Sequence, residues 1–254
     1  MQSRFLKQLI YGVFYLAIIF GVGYLLYAPF KSPASCFDNR KNQGETEVDC
    51  GGPCPSCELK KLKPMQVSPV SIFPLGEEQL SALFELKNLN VNYGAERFIY
   101  RLSFYDSTGK EIFSVSKSSF IYPGELKYIA EPGLEFDTRQ VVRAEAQISN
   151  LSWRTISEFS LPKTQTRDIR VEQADENGSV AVSGLLVNQN SFALSRAVVI
   201  VIVKNQTGSD IGVSKTLVES IAPFEERGFT VNVPAAGMVQ PHKDFIKIAV
   251  ESSR

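Results

Sequence analysis

The sequence predicts a mainly β protein, with two tandem antiparallel β-sandwich domains carried behind an N-terminal transmembrane helix and a small disulfide-rich module. Three observations predict it. A charge-free apolar run opens the chain, all four cysteines fall between positions 36 and 57, and everything beyond Val67 breaks into short segments rich in Val, Ile, Phe and Tyr. Gly, Pro, Asn and Asp interrupt those segments at roughly the 8–12 residue spacing of all-β folds.

Composition narrows the function classes first. The 27 Lys and Arg residues balance 27 Asp and Glu, so no global field steers the chain to nucleic acid. Apolar residues at 44% and charged residues at 21% exclude wholesale disorder. The single histidine, His242, excludes multi-histidine metal centres and leaves at most one imidazole for a Ser-His-Asp or Cys-His mechanism.

From Leu9 to Phe30 the chain carries no charge. At about 1.5 Å rise per residue such a run spans roughly the 30 Å hydrocarbon core of a bilayer. Residues 9–30 are therefore expected to be a transmembrane signal anchor. Tyr11, Tyr15, Tyr24 and Tyr27 fall toward its two ends, where amphipathic rings favour headgroups, and Pro29 can end the helix. Arg4 and Lys7 in the 1–8 segment keep the N-terminus cytoplasmic by the positive-inside rule, so the rest is expected outside, in the cell envelope. The alternatives are a cleaved signal peptide, for which Ser32-Pro33-Ala34-Ser35 is a poor site, and lipidation of Cys36, which Pro33 disfavours. Ala17 and Gly21 form a small-xxx-small pair that would serve a homo-oligomer.

Cys36, Cys50, Cys54 and Cys57 define a Cys-rich module over 31–57. A segment this short buries no core of its own, so in an oxidising compartment two disulfides are the expected staple, with three connectivities open. Zinc is the alternative, yet only Cys54 and Cys57 have the C-x-x-C spacing it favours. Asp38, Glu45, Glu47 and Asp49, with the amides of Asn39 and Asn42, are candidate oxygen ligands for Ca²⁺; the bland reading is a solvated acidic loop, and no other cofactor is expected. Cys36-x-Asp38, Asn42-Gln43-Gly44-Glu45-Thr46 and Val48-Asp49-Cys50-Gly51-Gly52-x-Cys54-x-x-Cys57 resemble the DCGGxCxxC module of secreted and surface-anchored prokaryotic proteins. The resemblance implies an extracytoplasmic location and no chemistry; the chain departs from it at Asn39, where the module often has Gly. Residues 58–66, with Lys60, Lys61 and Lys63, read as a solvated linker, or as a small basic run drawn to anionic headgroups.

Beyond the linker, Ala82–Leu86, Ile99–Phe104 and Val142–Ile148 alternate as half-buried strands do. The chain also matches itself at an offset near 100. Leu86-x-Asn88-x-Asn90 returns as Leu186-x-Asn188-x-Asn190, and Pro123-x-Glu125 as Pro223-x-Glu225. Thr108-Gly109-x-x-Ile112 returns as Thr207-Gly208-x-x-Ile211, and Val115-Ser116-Lys117 as Val213-Ser214-Lys215. A tandem duplication is expected, with domain 1 over 67–163 and domain 2 over 166–254. Six or seven strands in each copy suit an immunoglobulin-like or fibronectin type III-like sandwich. Leu102-Ser103-Phe104-Tyr105-Asp106 resembles the FxLYD family of extracytoplasmic β-domains, with Leu and Phe exchanged; the second copy has lost the Tyr-Asp signature. That resemblance implies a binding or spacer module with structural motif residues. The short link at 162–166 leaves little slack, so the domains are expected end to end, as a stalk.

No phosphate loop, nucleophile elbow or dinucleotide fingerprint is present. His242 reads as a loop residue and Trp153 as a core or edge aromatic, with ligand stacking the sharper alternative. Asn150-Leu-Ser152, Asn177-Gly-Ser179 and Asn205-Gln-Thr207 fit the N-glycosylation pattern and would be exposed to it in a secretory pathway, whereas in a bacterium the pattern means little. The expectation is a non-enzymatic scaffold or adhesion-type protein that spans the membrane once and binds an envelope or cell-surface protein. The alternative is a glycan-binding module or an accessory subunit of an envelope enzyme or assembly machine.

Overall fold

The computed structural model describes residues 2–27, 35–173, 179–234 and 242–253. The chain divides into two compact units, Met1–Leu62 and Lys63–Arg254. In the first unit, helix α1 (Gln2–Tyr27) contains an apolar stretch, Leu6–Tyr27, long enough to cross a membrane and buried nowhere by the protein. The predicted end of the span at 28–30, with Pro29, and positions 32–34 of the weighed cleavage site lie outside the described residues. Across the predicted boundary between module and linker, Cys57–Lys61 forms a 3-10 turn in which the Ser56 hydroxyl accepts from the Glu58 amide.

Among the described residues the second unit has thirteen strands. They are β1 (Gln66–Val67), β2 (Ser71–Pro74), β3 (Gln79–Lys87), β4 (Tyr93–Tyr105), β5 (Glu111–Ile121), β6 (Leu126–Glu135) and β7 (Arg143–Thr155), followed by β8 (Thr164–Gln173), β9 (Val180–Asn188), β10 (Leu194–Lys204), β11 (Asp210–Ile221), β12 (Glu226–Val233) and β13 (Ile246–Ser253). All pair antiparallel. In the first half β3 lies between β6 and the edge made by β1 and β2, facing the sheet β5-β4-β7. The second half has the sheets β12-β9-β8 and β11-β10-β13, so strand order is the same in both.

Each half has its own core. Phe84, Leu86, Phe98 and Tyr100 gather with Ile121 and Ile129 in the first, and Leu80, Leu102 and Phe104 extend it. Val182, Leu186, Val199, Val201 and Val231 fill the second. The matched asparagines close these cores at one corner. Asn88 Nδ2 donates to the carbonyls of Tyr93 (2.7 Å) and Tyr122 (3.0 Å), while its Oδ1 accepts from the Asn90 amide at 2.9 Å. Asn188 does the same with Phe192 (2.9 Å), Ala222 (2.9 Å) and Asn190 (3.0 Å). Asn90 and Asn190 in turn each clasp a lysine backbone through both amide groups, Lys63 at 2.8 and 2.9 Å and Lys163 at 3.0 and 2.9 Å. Lys63 is thus bonded into the β body rather than lying in a free spacer. Glu125 and Glu225 accept from the amides three residues back, Tyr122 and Ala222.

The end-to-end arrangement expected from the short link is not what forms. The outer face of the β2-β3-β6 sheet packs on the outer face of β11-β10-β13, where Phe73, Leu83, Tyr128 and Ala130 meet Ile200, Ile202 and Val213. Strands β3 and β10 are consequently buried on both faces, and the half-buried alternation expected of Ala82–Leu86 gives way to continuous burial. The reason is the apolar character of both outer faces, which water penalises and which a short link allows to meet. Strand β7, whose outer face stays in solvent, keeps the alternation, broken once at Ser149–Asn150, where its register with β4 shifts.

Candidate functional site

In the first unit the four cysteines pair as Cys36–Cys54 and Cys50–Cys57, with Cα separations of 5.6 and 4.9 Å. No cysteine is free, so the thiolates that zinc needs are consumed. The adjacent glycines follow from backbone shape: Gly52 sits at φ +61°, and a Cβ there would meet the Gly44 carbonyl oxygen at 2.3 Å.

The candidate Ca²⁺ ligands are directed at the loop's own donors. Asp38 Oδ1 accepts from the Arg40 amide at 2.9 Å and its Oδ2 from Asn42 Nδ2 at 2.8 Å. The Asn42 bond, helped by the Arg40 and Ser35 amides against a smaller opposing effect of burial, holds the Asp38 carboxyl below its usual range. Asp49 accepts from the amides of Asp38 and Asn39, and buried Glu45 from those of Asn42 and Asp49. Glu45 lies beside the Cys36–Cys54 bridge and Glu47 beside Cys50–Cys57. Among the described residues, Asp38 and Asp49 join no group of three ligand atoms within 4.8 Å of one another. The local geometry is that of carboxylates shaping a disulfide-closed loop.

The most organised polar cluster is in the second unit, at the junction of its two halves. A cleft of about 370 Å³ opens there, with Ile129, Val198, Ile200 and Leu217 as apolar wall and Lys117, Arg196, Lys215, Glu131 and Glu251 as charged lining. Glu131, on β6, is almost fully buried. It accepts from Tyr100 Oη at 2.5 Å and from Lys215 Nζ at 3.3 Å, and it pairs with Lys117 Nζ. Burial pushes the Glu131 carboxyl up, but the Lys215 charge and the Lys117 and Tyr100 donors outweigh it and hold the group below the ordinary carboxylate range. Burial, and then the Glu131 charge, push the Tyr100 phenol well above its usual range. One ionised acid thus faces a neutral phenol and two lysine ammonium groups. Neither Glu131 nor Tyr100 is poised to exchange a proton near neutral pH.

Beside this cluster the wholly buried Lys127 places Nζ 3.0 Å from Glu251 Oε2 and 3.8 Å above the Phe120 ring, while Tyr122 Oη donates to the Ser252 carbonyl at 2.9 Å. The Lys127 ammonium has the distance of an ion pair but not the alignment of a hydrogen bond. Sequence reasoning missed Glu131, Tyr100 and Lys127. A usable signal existed: at offset 100 from Glu131 stands Val231, so one member of a matched pair of strands carries an acid where the other carries a core valine.

The remaining candidates are dispersed. His242 is exposed with Nδ1 3.2 Å from Asp244 Oδ2, and Trp153 packs against the first core. Asn150 lies at φ +53° on β7, Asn205 opens the β10–β11 hairpin, and Asn177 is outside the described residues.

No family model matches the chain, and no curated protein matches it. Among solved structures a likeness is found to the crystal structure of red sea bream transglutaminase, at 11% identity and a TM-score of 0.27. It covers 76% of this chain and 31% of that one, so the chain spans about a third of that protein's length, and a likeness of this level carries no argument about fold or activity.

Proposed function

We propose that the chain is a single-pass, membrane-anchored protein of the cell envelope whose extracytoplasmic β body is a rigid, non-catalytic scaffold for binding another envelope or cell-surface protein. The observation that carries this reading is the make-up of the first unit, an apolar helix with no buried residue followed along the chain by a segment closed with two disulfides. Such a helix needs a lipid environment to cover it, and such disulfides persist in oxidising compartments. Arg4 and Lys7 favour a cytoplasmic N-terminus.

We read the Cys-rich segment as a DCGGxCxxC module and the two halves of the β body as duplicated, FxLYD-like copies of one immunoglobulin-like domain. The common strand order and the twin asparagine corners support the duplication. The scaffold reading is supported by the buried junction, which couples the halves through an apolar patch and the ion pair of Lys215 with Glu131. In the test, protease added to intact cells should remove the β body while cytoplasmic controls survive, and crosslinking in the membrane should capture one defined protein partner. Protection of the β body while an external control is digested would reverse the topology. Recovery of the chain in no crosslinked complex would remove the binding role.

A further inference from the structure

We propose that Asn205 is the acceptor of an N-linked glycan, a proposal that rests on the extracytoplasmic reading of the β body. Asn205-Gln206-Thr207 fits the Asn-x-Ser/Thr pattern and forms the β10–β11 hairpin turn, where Gln206, Thr207, Gly208 and Ser209 are exposed. Asn205 Oδ1 accepts three hydrogen bonds, from the Thr207 amide at 3.0 Å, the Thr207 hydroxyl at 2.7 Å and the Ser209 amide at 2.9 Å.

The corresponding hairpin of the first half shows what the turn itself requires. There Asp106 Oδ1 accepts from the Thr108 amide at 2.8 Å, the Thr108 hydroxyl at 2.6 Å and the Lys110 amide at 3.0 Å. An oxygen suffices to close the turn. At position 205 the side chain supplies an amide nitrogen as well, and among the described residues that nitrogen makes no hydrogen bond.

The chemistry favours this amide over an ordinary one. In the transfer, Asn205 Nδ2 forms a bond to the anomeric carbon of a sugar carried on a polyisoprenyl phosphate. The bond from that carbon to the phosphate oxygen breaks, the phosphate leaves with the electron pair, and an Nδ2 proton passes to a base of the transferase. An amide nitrogen is a poor nucleophile because its lone pair is shared with the carbonyl. As its proton departs, charge accumulates on the oxygen. Three donors already aimed at Oδ1 stabilise that charge, as an oxyanion hole does. The Ser209 hydroxyl, 3.3 Å from Thr207 Oγ1, can further polarise the threonine.

Asn150 lacks this arrangement. Its +2 hydroxyl, on Ser152, donates to Glu96 Oε1 at 3.0 Å instead. Of the two acceptor asparagines among the described residues, Asn205 is therefore the modified one.

The experiment uses full-length protein recovered from the envelope of its own cells, digested and weighed peptide by peptide. The Asn205 peptide is expected to carry added sugar mass attached at Asn205. Asn205→Asp keeps the turn oxygen that Asp106 shows to be sufficient, so it should fold with unchanged thermal stability and lose the sugar. Thr207→Ala should also lose it, and Asn150→Gln should leave it in place. An unmodified Asn205 in a protein whose β body external protease removes from intact cells overturns the proposal. Protection of the β body from that protease overturns the envelope reading, and the proposal with it.

Discussion

The sheets β5-β4-β7 and β11-β10-β13 share a strand order, yet their outer faces have opposite fates. The first presents Arg101, Ser103, Ser114 and Ser116, with Arg101 bonded to Glu111 (2.6 Å) and to Ser114 (3.0 Å). The second presents Ile200, Ile202 and Val213, and these are buried against the other half. The Val-Ser-Lys triplet shows how near-identical strings diverge. Lys117 lies eight residues after Gly109 and Lys215 seven after Gly208, so the triplets are one residue out of step relative to their turns. Val115 pairs with Leu102 and turns to its own core, whereas Val213 pairs with Ile202 and turns to the other half. A one-residue slip in a strand exchanges the two faces. The match at Val115 and Val213 is thus one of sequence and not of place, unlike the match at Asn88 and Asn188. Both lysines nonetheless reach Glu131, Lys117 from its own half and Lys215 across the junction.

The comparison breaks most directly if the apolar face is made to resemble the polar one. Ile200→Ser with Ile202→Ser removes two buried side chains and is expected to cost about 4 kcal/mol or more. Denaturant unfolding should then split into two transitions, and a single transition at unchanged midpoint would count against the junction as a stabilising contact. Ser116→Val on the solvent face should stay within about 0.5 kcal/mol.

At the corner, the halves should respond alike. Asn88→Ala and Asn188→Ala each orphan buried backbone groups and should cost about 2–3 kcal/mol apiece. Losses differing by a factor of three or more would show that the two corners are not equivalent.

Next comes the cluster present in one half only. Glu131→Gln is expected to cost about 2 kcal/mol at neutral pH. Because the folded-state carboxyl of Glu131 is held below its unfolded value, its contribution is fully present above the unfolded pKa and is lost as pH falls through the folded one. Glu125, pushed up chiefly by burial, contributes with the opposite sign, so the difference between wild type and Glu131→Gln isolates Glu131. That difference should shrink as pH drops below the carboxylate range, and a pH-independent difference would assign Glu131 a packing role alone.

A small gain, not a loss, is expected at the Pro-x-Glu corner. Gly124 occupies the left-handed region at φ +69°, and in the second half Phe224 holds it at φ +59° with its ring exposed. Phe224→Gly should therefore raise stability by about 0.5–1 kcal/mol, and a loss would reveal a contact that retains the phenylalanine.

The sequence by itself determined the local features, because each depends on neighbours along the chain. The apolar run before Tyr27 makes a helix with no buried face, the cysteine cluster closes a short loop, and Leu-x-Asn-x-Asn with Pro-x-Glu builds a corner whose hydrogen bonds are the same in both halves. Even the turn that lost its Tyr-Asp signature keeps its cradle, since Asn205 offers the oxygen that Asp106 offers. Only the tertiary structure decided the disulfide pairing, since three connectivities satisfy the same spacing. It also decided which outer faces meet. The run Val198–Val203 is apolar at every position and so carries no alternation to say which side faces the core. That meeting also completed the cluster at Glu131: Tyr100 and Lys117 reach it within the first half, through strand pairing and the facing of its two sheets, while Lys215 is brought to it by the packing of one half on the other.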